Sequence, residues 1–136
     1  MYYNDIMEHN KIISPYFENG TFAGVRVCIG DEDFVIAPKN YQNGKWMTWY
    51  DAMNALKYNN LDTWNYRQTC FTMAYREKID KVLEDNGGDC LDDWYWTCTE
   101  NSERSAFSYY GYNGPLEIDA KHTACCVRLI KNLKKS

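Results

Sequence analysis

The sequence predicts an α+β domain built on a small antiparallel sheet. Two observations carry that expectation. Strand-like segments come first, two amphipathic helices follow, and strand-like segments return, an order that suits antiparallel pairing better than βαβ winding. The 136 residues hold 45% hydrophobic residues and an unusual 16% aromatics, with 12 Tyr, 5 Trp and 5 Phe, enough for one core. One domain is therefore expected over residues 1–136, with an N-terminal arm at 1–22, a core at 23–131 and a basic tail at 132–136.

Within the arm, periodicity is weak and Ser14-Pro15 argues against a helix. Val25, Val27 and Ile29 then alternate with Arg26 and Cys28, the pattern of a half-buried strand. Gly30-Asp31-Glu32-Asp33 reads as a turn into a second strand, Phe34 to Ala37, completing a hairpin. Pro38 to Lys45 is a loop with a turn signal at Asn43-Gly44. Thr48 is a candidate N-cap, with Asp51 three residues on. Trp49, Ala52, Met53 and Leu56 give one apolar face to a helix over 49–57, stopped by Asn59-Asn60.

A second helix is predicted over 72–85. Thr72 is placed to cap it, and Tyr75, Ile79, Val82 and Leu83 form its apolar stripe. Arg76, Glu77, Lys78, Asp80 and Lys81 are assigned to the wet face, and Gly87-Gly88 ends the helix. The pattern then turns to β. Trp94 to Cys98 is a strand with Trp94, Trp96 and Cys98 on one side and Tyr95 and Thr97 on the other. Asn101 to Ser105 connects it to a strand at Ala106–Tyr110. Gly111 to Pro115 is a turn, and Ala124 to Ile130 closes the sheet.

Composition removes several functions. A net charge of −4 without a basic block disfavours nucleic acid, which needs clustered Lys and Arg. No apolar run approaches the roughly 20 residues of a membrane-inserted helix. Met1 to Asn10 carries Asp5 and Glu8 and no apolar block, so no secretory signal is expected. The six cysteines, at 28, 70, 90, 98, 125 and 126, form no Cys-x-x-Cys, and His9 and His122 are the only histidines. That spacing offers no zinc site, and reduced thiols are expected.

The second half carries a further pattern. Tyr75-Arg76-Glu77-Lys78-Ile79-Asp80 leads to Gly87-Gly88. Tyr95-Trp96-Thr97-Cys98-Thr99-Glu100 follows, then Ala106-Phe107, Lys121 and Val127-Arg128. This resembles a bacterial and bacteriophage family with a C-type-lectin-like fold, whose motif reads Tyr-Trp-Ser-Ser-Thr-Glu, Ala-Trp, a Lys and a final Val-Arg strand. The variable proteins of diversity-generating retroelements look like relatives. The resemblance covers about residues 24–131, most closely 72–130. It departs at Thr97, Cys98 and Phe107, and Cys70-Phe71-Thr72 stands where the family has Leu-Pro-Thr. It implies two helices packed on a small twisted sheet with long loops. It also implies a bacterial or phage origin, and with no secretory signal or membrane-inserted helix expected, the expected location is cytoplasmic or virion-associated.

Enzymatic chemistry is not expected. Asp89, Asp92 and Asp93, and Asp31, Glu32 and Asp33, sit in turn-like stretches where solvated carboxylates are usual. The Glu-Pro-Asn, Gln-Pro-Asp and Trp-Asn-Asp signatures of calcium-dependent sugar binding do not occur. Formylglycine-generating enzymes share the lectin-like scaffold and use a cysteine pair. Cys125 and Cys126, however, have no basic neighbour in sequence beyond His122 and Arg128, and scaffold likeness does not transfer chemistry. No cofactor or metal is called for. Glu100 and Arg128 match motif positions and are expected to anchor loops to the sheet.

The expected function is recognition. Asn101, Ser102, Arg104, Tyr109, Tyr110, Tyr112 and Asn113 are the candidate ligand-binding residues, because Tyr and Asn combine rigid contact area with adaptable hydrogen bonding. In the resembling family this region forms the binding face. The ligand class is protein or carbohydrate. The alternative is a decoration, fibre or tail-associated component of a particle or surface assembly, with the aromatic face buried in a homo-oligomer.

Overall fold

The computed structural model describes residues 11–30, 32–58, 73–111 and 116–133. Over these described residues it is α+β, with two α-helices and two small antiparallel sheets. Strands β1 (Lys11–Glu18), β2 (Thr21–Ile29), β3 (Glu32–Ile36) and β7 (Ile130–Asn132) form one sheet in the order β1-β2-β3-β7. Strands β4 (Trp94–Glu100), β5 (Ser105–Tyr110) and β6 (Leu116–Ala120) form the other. Helices α1 (Trp49–Tyr58) and α2 (Met73–Asp85) lie between β3 and β4 in sequence.

The expected β2–β3 hairpin is present, with Val25 opposite Ile36 and Val27 opposite Phe34. Val25, Val27 and Ile36 are fully buried. Thr48 caps α1, accepting the Asp51 N–H at 3.2 Å. Past α2, Gly87 takes φ +75° and the Gly88 N–H reaches back to the Leu83 carbonyl at 2.8 Å, closing the helix end. The Thr72 cap, the Asn59-Asn60 stop, Asp31 of the hairpin turn and residues 112–115 of the later turn lie outside the described residues.

Four expectations need correction. Part of the arm is a strand: β1 pairs with β2 along its length, and Pro15 is tolerated because β1 is an edge. Arg76 belongs to the buried side of α2, being 5% exposed, because the helical repeat stacks it with Ile79, Asp80 and Leu83. An additional strand, β6, follows the turn after β5. The stretch from Ala124 to Leu129 is no continuous strand. It runs between the sheets on isolated bridges, Cys125 to Met47 and Cys126 to Tyr95, before β7 joins β3.

That arrangement gives a core in two parts. One cluster holds Val25, Val27, Ile36, Ile79, Leu83, Tyr95, Tyr109 and Cys126; the other holds Met47, Ala52, Trp96, Ala106, Cys125 and Val127. Strand β4 feeds both, Tyr95 into the first and Trp96 into the second. The predicted alternation is observed for Trp94, Tyr95 and Trp96, with apolar contacts on each face, and an irregularity in the register with β5 interrupts it between Trp96 and Glu100. Trp96 satisfies its indole N–H by donating to the Met47 carbonyl at 2.9 Å.

Candidate functional site

Two buried cations organise the loops. Arg128 is fully buried. Its Nε donates to the Ala37 carbonyl at 2.8 Å, one terminal nitrogen to Asn40 Oδ1 at 2.8 Å and the other to the Asp89 carbonyl at 2.6 Å. Asn40 Oδ1 also accepts the Tyr95 hydroxyl at 2.7 Å, and the Asn40 N–H donates to Asp89 at 3.1 Å. One planar donor fork thereby ties the loop after β3 to the loop after α2, a task a lysine's single ammonium does not match.

Lys121 is the second pin, at 3% exposure. Its Nζ donates to Glu100 Oε2 at 2.6 Å and to the Glu103 carbonyl at 2.9 Å, and lies 4.5 Å from the Trp49 ring centroid. Its backbone N–H donates to the Arg104 carbonyl and its carbonyl accepts the Trp49 N–H, each at 2.9 Å. The 100–104 loop and the start of α1 are therefore held to one residue. Glu100 and Arg128 both occupy the loop-anchoring positions expected of them.

Of the sequence-predicted binding residues, the structure places Asn101, Ser102 and Arg104 on this pinned loop, all exposed. The Asn101 and Ser102 N–H groups both donate to the Ser105 carbonyl at 3.0 Å, and Asn101 Nδ2 donates to Ser105 Oγ at 3.0 Å. Tyr109 is not part of the face. It is 2% exposed and packs on Tyr95, ring centroids 5.4 Å apart, because both faces of β5 meet the core. Tyr110 is half-buried and stacks on Trp94 at 4.9 Å. Tyr112 and Asn113 lie outside the described residues.

Tyr50 and Trp46, which are not among the residues expected from the sequence, are exposed by 49% and 47%. A signal existed: both flank the Thr48 cap, off the apolar stripe of Trp49, Ala52 and Met53. Tyr50 sits beside the pinned loop, its ring centroid 5.9 Å from Lys121 Nζ.

The carboxylates act largely in the framework. Asp89 accepts the Asn40 N–H, Asp93 the Trp94 N–H at 2.8 Å, and Asp33 the Arg26 guanidinium through two bonds. Among the described residues no group of three or more His, Cys, Asp or Glu is placed to hold a metal ion. Cys125 and Cys126 face different core clusters, so their thiols point apart. Burial, with Asp119 nearby, pushes Cys125 up to about 12; burial, with Asp93 nearby, pushes Cys126 up to about 11. Among the described residues Cys28, Cys90 and Cys98 form no disulfide, and Cys70 lies outside the described residues.

These shifts give a prediction. Relative to an ordinary thiol near 9, the thiolate populations of Cys125 and Cys126 at pH 8 fall roughly 1,000-fold and 100-fold. Thiol-reagent titration should therefore leave both unmodified in the folded protein and count six thiols after unfolding without reductant. Because the folded state keeps protons the unfolded state releases, stability from these groups is complete below about pH 9. It declines as pH rises toward 11 and 12. Rapid native labelling of either residue contradicts this picture.

Compared with protein-family models the sequence finds no match, and compared with curated proteins it finds none either.

Proposed function

We propose that the chain is a non-enzymatic recognition module of C-type-lectin-like architecture, binding a protein or glycan target through an exposed polar and aromatic loop face. The observation that carries this reading is the pinned loop. Asn101, Ser102 and Arg104 are exposed while the backbone beneath them is fixed by Lys121, and Tyr50 offers an aromatic surface alongside. A face whose backbone is already ordered loses little entropy on binding. Tyr and Arg are the side chains that most often dominate binding energy. The proposed location is cytoplasmic or virion-associated.

Screening on protein and glycan arrays tests the proposal. Tyr50→Ala and Arg104→Ala should each weaken binding to the captured target by about 2 kcal/mol, roughly 30-fold, with an unchanged melting temperature. Full affinity in both variants contradicts it.

A structural role in a particle or surface assembly is the second reading. It is favoured by Ile118 on β6 and Phe17 on β1, exposed by 56% and 53% on the outer strands of the two sheets. A stable oligomer in solution that shields Ile118 supports it; a monomer at all concentrations removes it.

A further inference from the structure

We infer that a cleft beside the start of α1 binds a terminal sugar of a glycan. This rests on the proposed recognition role and adds a subsite outside the 101–104 loop. The cleft has a volume of about 330 Å³, at the lower end of the roughly 300–1,000 Å³ of small-molecule sites. Trp46 is its aromatic wall, with nearly half its surface open to solvent. Gln42, Lys45, Thr48 and Asp51 supply polar groups, while Ala55 and Ala124 are small enough to leave room between them.

That combination suits a pyranose ring. One face of such a ring is a patch of C–H groups that packs on an indole. Its rim is a row of hydroxyls, each both donor and acceptor. An amide, an ammonium, a hydroxyl and a carboxylate at the same cleft offer both kinds of partner. Lys45 and Asp51 carry opposite charges, so the lining selects neither anion nor cation.

The cleft is also held in shape. Gln42 and Asn43 are left-handed at φ 49° and 58°, a conformation uncommon for residues other than glycine. Flanking bonds hold it: the Tyr41 N–H donates to the Val127 carbonyl at 2.8 Å, and Met47 and Cys125 exchange two backbone bonds at 2.9 Å. Backbone strain maintained by such clamps is characteristic of binding sites.

An array of immobilised oligosaccharides bearing common neutral terminal sugars, followed by titration with the matching free monosaccharide, tests the inference. Binding should fall at least tenfold in Trp46→Ala and in Asp51→Ala, and persist in Glu84→Ala, an exposed position on α2 outside the cleft. The free sugar should perturb tryptophan fluorescence in the unmodified protein and less so in Trp46→Ala. If no glycan binds, or if Trp46→Ala and Asp51→Ala bind as well as the parent, the cleft assignment is overturned. Capture of a protein target through Arg104 without any glycan binding overturns the cleft alone and leaves the recognition role standing.

Discussion

Replacing Arg128 with methionine is expected to destabilise the domain by about 3–5 kcal/mol, measured as a loss of urea-unfolding free energy. The side chain is fully buried and satisfies the Ala37 carbonyl, Asn40 Oδ1 and the Asp89 carbonyl. Methionine fills much of the volume and none of the hydrogen bonds, so three acceptors lose a charged donor away from water. Arg128→Lys keeps the charge but lacks the fork, and should fall between the parent and Arg128→Met. Equal stability of the methionine variant and the parent would show that the two loops are held by packing alone.

Gly24→Ala should cost at least about 3 kcal/mol, for a different reason. Gly24 lies on β2 at φ +139°, beside the point where the register with β1 shifts between Tyr16 and Phe17. A Cβ there would stand 2.1 Å from the Ile36 carbonyl oxygen and 2.7 Å from a Val35 methyl. The obstructing oxygen is backbone of the adjacent strand, so relief requires moving β3 itself. Gly20→Ala is the control. Its φ is +80°, but no atom lies within 4 Å of the added carbon, so only the left-handed penalty of about 1–2 kcal/mol remains. Similar losses in the two variants would contradict the close-contact account.

The parts of the fold legible in the sequence were those with one wet face and one dry face. Alternation in Val25, Val27 and Ile29 and the helical stripe through Ile79 and Leu83 both arise from a single solvent boundary. Where that boundary disappears, the signal fails. Both faces of β5 meet the core, so Tyr109 and Tyr110 look alike in sequence yet differ in depth. Edge strand β1 is poorly marked because Ile12 and Phe17 remain exposed and Pro15 interrupts the pattern. The stretch at 125–127 has strand-like alternation because it packs into both core clusters, although it lacks a continuous ladder. At the candidate site, composition identified the polar 101–104 loop. Tyr50 escaped because its place beside that loop depends on contacts through Lys121, more than 70 positions away in sequence.

Amide hydrogen exchange reads out whether Lys121 pre-forms the exposed loop proposed for recognition. In the unliganded protein the N–H groups of Asn101, Ser102 and Lys121, which donate to the Ser105 and Arg104 carbonyls, should be protected. In Lys121→Met that protection should disappear while the amides paired between β2 and β3 retain theirs. If these loop amides already exchange freely in the parent, or keep full protection in Lys121→Met, the lysine does not pre-form the loop.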